Sequence, residues 1–350
     1  MPLDFIQLPQ RERNLLFSEA GLRAGMHPVV MEKDFWVCWM LEKLFSLLEI
    51  SDDLVFKGGT SLSKVFNVID RFSEDIDLGL SPGYLGFSES EISQVNSRSK
   101  GGQWLTKLQE RCGEIIQSGL LRRLENVVVA ELGPRSNGEP WLEFLQGDGN
   151  DSANILFHYP TAQSNELGYV EKSVKLEFGS LADQIPIGAH RIHPWLEQVF
   201  PGLMADWTCE VRVLEVERTF WEKSLILHKV SHLPPSRPIR DRYARHYSDF
   251  AALWKSRYRN KILGRIDLLE RSAWFQDKFF GPTWARCDTA KIGTLRLLPS
   301  RERLDELARD YDKMEGMFIK PPPDFTTVLE WIAEAETEIN SSKINTQDRF

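Results

Sequence analysis

The stretch Phe56–Leu80, FKGGTSLSKVFNVIDRFSEDIDLGL, combines three kinds of local structure in a short span. It begins at the end of a short apolar run, which predicts a buried strand that stops at the Gly58–Gly59 pair. Thr60 stands where a helix N-cap is expected, so a helix is predicted over Ser61–Val68. From Asp75 onward polar and apolar residues alternate as they do in a strand. The stretch therefore predicts strand, glycine turn, helix and strand, in that order.

The glycine turn has the composition of a phosphate-binding loop. Gly58 and Gly59 let the backbone approach a ligand closely, and the N–H groups at the start of a helix attract anions. Thr60 and Ser61 add hydroxyl donors, and Lys57 adds a positive charge. Because Gly-Gly before a helix is also ordinary turn chemistry, the turn alone does not decide between the two interpretations.

Two aspartates follow the turn. Asp75 and Asp77 are two residues apart, so on a strand they project to the same side. Two carboxylates this close repel each other, and one pKa rises unless a cation lies between them. Mg²⁺ relieves this repulsion, because it binds carboxylate and triphosphate oxygens together. An isolated Asp-x-Asp is often only a solvated strand end, but its place shortly after the glycine turn favours a metal site.

A second strand is predicted to add two more candidate residues. In Val174–Gly179, Lys175 and Glu177 share one face, and the apolar residues share the other. Glu177 could complete the metal site, and Lys175 could neutralise triphosphate charge. The alternative is a surface ion pair, which stabilises a protein very little.

Composition and charge narrow the class of protein. The 350 residues are 42% hydrophobic and 27% charged, which is typical of a soluble globular protein with more than one structural part. Four scattered cysteines indicate thiols in a reducing compartment, and no signal peptide or membrane helix is visible, so a cytoplasmic protein is expected. The net charge is −8, yet Arg212–Arg265 holds 13 Lys and Arg against 5 Asp and Glu. This basic segment is either a polyanion-binding face or a solvated helical surface.

The pattern along the chain predicts an α+β fold, with a small mixed sheet flanked by helices and a helical C-terminal part. A long helical stretch is predicted over Ser88–Arg123, broken near Gly101–Gly102. Strands are predicted at Val127–Leu132, Trp141–Leu145, Ala153–His158, Ser173–Phe178 and Cys209–Val216. Three domains are expected: N-terminal helices over 1–50, a catalytic core over 51–180 and a mostly helical domain over 181–350.

The stretch Lys57–Leu78 resembles the Gly-Ser/Thr…Asp-x-Asp signature of the DNA polymerase β-like nucleotidyltransferases. It is more closely similar to the AbiEii/AbiGii nucleotidyltransferase toxins of type IV toxin–antitoxin systems. The resemblance extends over most of the chain. Other segments similar to the motifs of this family are Val30–Trp36, Ser173–Gly179, Glu215–His228, Arg242–Leu253, Gly293–Pro299 and Asp310–Met317.

The resemblance implies a polymerase β-like core and a role for each matching residue. The implied catalytic residues are Asp75, Asp77, Lys175, Glu177 and Asp249, and the implied metal ligands among them are Asp75, Asp77 and Glu177. The implied nucleotide-binding residues are Gly59, Thr60 and Lys223, and the chemistry of the turn adds Lys57, Gly58 and Ser61 as candidates. The turn reads Gly-Gly-Thr-Ser rather than Gly-Ser, which leaves open whether Thr60 or Ser61 contacts the phosphate.

The residues of the helical part are less specific without the resemblance. Lys223 lies on a helix with an apolar side, and it is either a functional lysine or a surface lysine that extends its charge to solvent. Asp249 follows an aromatic and basic run. It could cap a helix, or it could hold Lys223 in place.

The resemblance also implies a function and partners. The expected protein is a toxin that uses Mg²⁺ or Mn²⁺ to transfer a nucleotide from a nucleoside triphosphate to RNA, with the 3′ end of tRNA as the candidate acceptor. Growth arrest and a cognate AbiEi-like antitoxin are expected, and no membrane partner is. Two alternatives stay open: nucleotide transfer to a protein side chain, and a nucleotide-binding interaction module without catalysis.

Overall fold

The computed structural model describes residues 5–47, 50–147, 153–161, 171–179, 183–204 and 207–342. The chain divides into two compact units. Unit 1 is Met1–Phe66, Phe72–Ser93 and Leu105–Leu214, and unit 2 is Asn67–Arg71, Gln94–Trp104 and Glu215–Phe350. The expected boundary between residues 180 and 181 lies outside the described residues, and the three-domain division stays a prediction.

Unit 1 is built on one mixed β-sheet. Its strands are β1 (Leu54–Lys57), β2 (Ile76–Leu80), β3 (Leu142–Gln146), β4 (Ala153–Phe157), β5 (Val174–Gly179), β6 (Ile187–Ile192) and β7 (Cys209–Leu214). In the described part of the chain their order is β3-β4-β5-β2-β1-β7-β6. The β2–β5 and β1–β7 pairs are parallel, and the other pairs are antiparallel. The mixed sheet confirms the predicted fold class.

The helices account for the rest of the regular structure. Up to residue 214 they are α1 (Gln10–Ala24), α2 (Pro28–Ser46), α3 (Gly58–Lys64), α4 (Glu89–Ser93), α5 (Arg98–Ile115), α6 (Leu121–Leu132) and α7 (Trp195–Val199). After it they are α8 (Val216–Ser231), α9 (Ala244–Trp254), α10 (Arg259–Leu263), α11 (Asp267–Phe275), α12 (Leu304–Asp312) and α13 (Phe325–Ser341). None of the helices in the described residues combines the length and the apolar character that a membrane crossing needs.

Helix α2 covers one face of the sheet with aromatic side chains. The rings of Trp39 and Phe157 are stacked with centroids 5.4 Å apart, and the ring of Trp36 meets the edge of Phe157 at 5.8 Å. Aromatic pairs in this distance range add to the free energy gained by burying the rings. Because successive side chains of a strand point to opposite faces of the sheet, the neighbours of Phe157 along β4 lie on the face that α2 does not cover.

In unit 2, helices α8 and α9 pack through aromatic residues. The rings of Phe220 and Phe250 are stacked with centroids 4.6 Å apart, and Trp254 lies behind Phe220 at 6.4 Å. All three side chains are fully buried. This packing fixes the two helices that carry Lys223 and Asp249.

Two sequence predictions of secondary structure were wrong. Val127–Leu132, predicted as a strand, is the end of α6. Its β-branched residues favoured a strand, but Leu124 and Val128 are buried at helical spacing while Val129 is exposed. The break predicted near Gly101–Gly102 instead separates α4 from α5 a few residues earlier. Gly101 lies inside α5, where a Cβ atom would come within 1.9 Å of the Lys278 carbonyl oxygen.

Two boundaries near the glycine turn also differ from the prediction. The N-cap of α3 is Lys57, whose backbone is extended, so α3 begins at Gly58 and Thr60 lies inside it. Strand β2 begins at Ile76, and Asp75 is the residue just before it. Strand β6 was not predicted, because its sequence mixes glycine, histidine and arginine with few apolar residues.

Candidate active site

A row of polar residues crosses the middle of the sheet on the face opposite Phe157. Lys57 pairs with Asp77 between β1 and β2, and Asp77 pairs with Glu177 between β2 and β5. Asn154 on β4 pairs with Glu177 in turn. Paired residues on neighbouring strands project to the same face. We call these four residues, Lys57, Asp77, Glu177 and Asn154, the polar row.

The glycine turn lies directly against one member of the polar row. Gly58 has φ +78°, a conformation that other residues rarely adopt. A Cβ atom at this position would be 1.8 Å from Oδ2 of Asp77. Glycine is therefore required twice, once by the backbone angle and once by the close approach of the Asp77 carboxylate.

The two hydroxyls of the turn are engaged with backbone. Thr60 and Ser61 are 1% and 0% exposed. The Ser61 hydroxyl donates to the Gly58 carbonyl at 2.8 Å, and the Thr60 hydroxyl donates to the Asp75 carbonyl. Thr60 thus connects α3 to the segment that carries the first aspartate.

Asp75 lies in an electrostatic environment that disfavours its negative charge. Burial and the neighbouring carboxylates of Glu177 and Glu74 raise the pKa of Asp75 to about 6. The ammonium groups of Lys175 and Lys33 act in the opposite direction. A carboxylate in this position is stabilised by any further cation that reaches it.

Lys175 and Glu177 form an ion pair along β5. The Lys175 Nζ atom lies 2.5 Å from Glu177 Oε1, and both side chains are partly exposed. The sequence placed these residues on one face of a strand, and the structure confirms that geometry. Glu177 therefore already has a cationic partner.

Asp75 and Asp77 have the chemistry to bind a divalent cation together with the phosphates of a nucleotide. In the described residues no group of three His, Cys, Asp or Glu side chains is arranged to hold a metal ion. Mg²⁺ usually binds to one or two carboxylates together with substrate phosphates and water. Asp75 just before β2 and Asp77 within it lie beside the glycine turn and supply such a pair of oxygen donors.

In unit 2, Lys223 and Asp249 meet in a buried ion cluster that also contains Arg71. Arg71 donates two hydrogen bonds of 2.7 Å to the Asp249 carboxylate, and Lys223 donates a third of 2.7 Å. Burial alone would raise the pKa of Asp249, but the two cations lower it well below its ordinary value. Asp249 lies in the middle of α9, so it holds Lys223 and does not cap a helix.

Sequence reasoning missed two residues of these sites. Arg71 is 178 positions from Asp249, so no local pattern connects them. Asn154 is 4% exposed and is the one polar residue in the apolar strand β4. A polar residue in such a strand is a signal that the sequence contains and that could have identified Asn154. Among the residues that the structure describes, the Asn154 side-chain oxygen has no hydrogen-bond partner.

The sequence matches one protein family over most of its length. The family model described as "Nucleotidyl transferase AbiEii toxin, Type IV TA system" matches residues 39–333. The chain therefore belongs to the AbiEii family of nucleotidyltransferase toxins, and the protein is a nucleotidyltransferase of a type IV toxin–antitoxin system. Membership of this family implies a cognate antitoxin.

One solved structure shows the same fold, and a second is a weaker match. MenT4, a nucleotidyltransferase toxin from Mycobacterium tuberculosis, is 17% identical with a TM-score of 0.50, over 95% of this chain and 90% of that one. JHP933 from Helicobacter pylori is 14% identical with a TM-score of 0.33, over 86% and 93% of the two chains. No curated protein sequence matches the chain.

Proposed function

We propose that this toxin transfers a nucleotide from a nucleoside triphosphate to an RNA acceptor, with a divalent cation held by Asp75 and Asp77. The close contact between the Gly58 backbone and the Asp77 carboxylate carries the proposal. It supports a site where one short segment binds the triphosphate and the next binds the cation.

In the proposed reaction an acceptor hydroxyl attacks the α-phosphorus of the triphosphate. The new oxygen–phosphorus bond forms as the bond from the α-phosphorus to the bridging oxygen breaks, pyrophosphate leaves with that oxygen, and the acceptor hydroxyl gives up its proton to water. A divalent cation, when bound, stabilises the charge on the attacking and leaving oxygens. The protein's own task is to hold the reactants in line and to offset the charge of the phosphates.

Each residue of unit 1 has a proposed part in that task. Lys57 offsets phosphate charge, as does Lys175. Gly58 and Gly59 let the triphosphate approach the backbone. Asp75 and Asp77 are the proposed metal ligands, and Glu177 is a third carboxylate that is paired with Lys175. The hydroxyls of Thr60 and Ser61 hold the glycine turn in place beside the segment that carries Asp75.

Lys223 and Asp249 remain candidate functional residues because they contact each other in the ion cluster of unit 2. Lys223 is a buried cation whose Nζ lies 2.7 Å from the Asp249 carboxylate, and a fixed cation suits an anionic ligand. We propose that Lys223 contributes that charge to nucleotide binding and that Asp249 acts by holding Lys223.

The loop Ser231–Arg242 supports RNA as the acceptor. Arg237, Arg240 and Arg242 are exposed on this loop. Its backbone is held by Arg303, which donates to the carbonyl of Pro234 at 2.7 Å, and by further hydrogen bonds to the α12 carboxylates. Exposed arginines on a fixed backbone bind a phosphodiester chain without a large cost in entropy.

The test is label transfer from each α-³²P-labelled nucleoside triphosphate to total tRNA in the presence of Mg²⁺, with Asp77→Ala as the control. We expect labelled RNA with the wild type and none with the variant. Label that appears on protein would favour the alternative acceptor. Tight nucleotide binding with no product under any divalent metal would favour the non-catalytic alternative.

A further inference from the structure

Helix α2 contains three consecutive charged residues that are all buried. Glu32, Lys33 and Asp34 are 2%, 1% and 2% exposed. Buried charges are costly unless other groups compensate them. Their partners therefore indicate what this part of the helix does.

Lys33 takes part in a closed ring of hydrogen bonds. Its Nζ donates to Glu74 Oε2 at 2.7 Å and to the Glu171 carbonyl oxygen at 2.9 Å. The same Glu74 oxygen accepts the Glu171 backbone N–H at 3.2 Å. Lys33 and Glu74 thus bind the backbone carbonyl and the backbone N–H of one residue, Glu171, each through a charged side chain.

This ring joins the two chain segments that carry the candidate acids. Glu74 is the neighbour of Asp75, and Glu171 lies three residues before the first residue of β5. A second buried ion pair of α2, between Asp34 and Lys64, holds the end of α3 at 2.6 Å. The charged residues of α2 therefore contact the glycine-turn helix, the acidic segment and the approach to β5.

We propose that Lys33 and Glu74 form a positioning pair that fixes Asp75 relative to β5 and keeps the Glu74 carboxylate out of the cation site. Neither residue touches the reacting atoms. The inference rests on the proposed role of Asp75 as a metal ligand.

The proposal predicts opposite effects on cation binding and on catalysis. If Lys33 is replaced by a neutral residue, Glu74 loses its cation and stands as an extra carboxylate beside Asp75. The site then attracts a divalent cation more strongly, while the cation and Asp75 are displaced from the productive arrangement. Small displacements of this kind cost about tenfold to a hundredfold in rate.

The test uses the full-length protein with Lys33→Met, Glu74→Gln and the double variant, and Lys33→Arg as the conservative change. Lys43→Met is the matched control, since Lys43 lies on the same helix and pairs with Glu42 and Glu131. Mn²⁺ binding is measured by electron paramagnetic resonance without nucleotide, and kcat and KM are measured by label transfer.

We expect Lys33→Met to bind Mn²⁺ at least about threefold more tightly and to lose about tenfold or more in kcat, with KM for the triphosphate little changed. The double variant should return to wild-type Mn²⁺ affinity and lose no more activity than either single variant. Lys33→Arg should retain most of the activity. Lys43→Met should change neither quantity.

Weaker or unchanged Mn²⁺ binding by Lys33→Met would overturn the proposal, as would strictly additive losses in the double variant. If Lys33→Met does not fold, Glu74→Gln alone tests the proposal. This variant leaves the positive charge of Lys33 without the Glu74 carboxylate, so the proposal requires that both the Mn²⁺ affinity and kcat decrease. A wild type that transfers no label would refute the proposed function, whereas the Mn²⁺ measurements would still decide whether the pair controls the cation site.

Discussion

Asp75 in unit 1 and Asp249 in the ion cluster of unit 2 are aspartates in opposite electrostatic environments. The pKa of Asp75 is raised to about 6, whereas the pKa of Asp249 lies far below its ordinary value. Both are shielded from solvent, so burial does not explain the difference. The neighbours of Asp75 include two carboxylates, and Asp249 is bound by Arg71 and Lys223.

This contrast separates Asp75, whose negative charge is disfavoured by its surroundings, from Asp249, whose negative charge is stabilised by two cations of the chain. Asp249 completes a buried cluster, and its loss removes the carboxylate that both Arg71 and Lys223 bind. Binding of a cation stabilises the negative charges of Asp75 and Asp77. The comparison therefore predicts that the acids of unit 1 matter for chemistry and that Asp249 matters for folding.

The largest expected effect is the loss of nucleotide transfer when Asp77 is replaced. Asp77→Ala should lower nucleotide transfer by about a thousandfold, or about 4 kcal/mol in transition-state free energy, because it removes a proposed metal ligand. The free energy of unfolding should change by less than about 1 kcal/mol. Label transfer and urea denaturation measure the two quantities. Loss of stability in parallel with activity would remove the distinction between the two regions.

The second prediction concerns Asp249. Asp249→Asn should lower the free energy of unfolding by about 3 kcal/mol, since it removes the carboxylate that both Arg71 and Lys223 bind. Combining Asp249→Leu with Arg71→Met should recover part of that loss, because one of the two cations is then removed as well. Urea denaturation of the three proteins checks this. An Asp249→Asn variant as stable as the wild type would contradict the account of the cluster.

Gly58 gives a third test. Gly58→Ala should lower transfer by about thirtyfold, or about 2 kcal/mol, because its Cβ would displace the Asp77 carboxylate. Gly25→Ala is the matched control, since Gly25 has φ +66° and nothing within 4 Å of its Cβ position. Both variants carry the backbone strain, and only Gly58→Ala reaches Asp77. Equal activity in the two variants would mean that the contact has no role.

The last prediction concerns the pH dependence of stability that Glu32 causes, since burial is the largest influence on the pKa of this acid. Burial raises its pKa to about 7 from an ordinary value of 4.5, and the hydrogen bond from Thr161 offsets this in part. The folded state therefore holds the proton more tightly than the unfolded chain. The stabilisation is complete below about pH 4.5 and is lost as the pH rises through about 7, by roughly 3 kcal/mol.

Glu32→Gln should remove this slope, so that the difference in unfolding free energy between the proteins changes from about pH 5 to about pH 8. Urea denaturation at a series of pH values measures it. Ser46→Ala, a change on the same helix that removes no titratable group, serves as a control for general pH effects. Parallel pH profiles for wild type and Glu32→Gln would show that Glu32 is ionised in the folded state throughout.

The local sequence was sufficient to predict strand β1, the glycine turn and the shared face of Lys175 and Glu177. Each of these depends on short-range rules: apolar runs, glycine conformations and the alternation of side chains along a strand. The alignment of Asp77 with Glu177 depends on the register of β2 and β5, which are distant in the chain. Local pattern cannot fix such a register.

The parts that could not be predicted depend on long-range contacts. Arg71 lies inside the stretch that decided the fold, yet its partner is on α9. Lys33 follows a helical pattern that says nothing of Glu74 or Glu171. The valines of α6 favoured a strand because β-branched residues do so locally, and the packing of Leu124 and Val128 overrides that preference.

The most direct test of the central account is the position of a bound cation. Crystals of the wild-type protein grown with Mn²⁺ and a non-hydrolysable nucleoside triphosphate would reveal the metal by its anomalous scattering. We predict a Mn²⁺ ion bonded to carboxylate oxygens of both Asp75 and Asp77 and to the triphosphate, with the phosphates against Gly58 and Gly59. A nucleotide bound elsewhere, or a Mn²⁺ ion that contacts neither aspartate, would contradict the account.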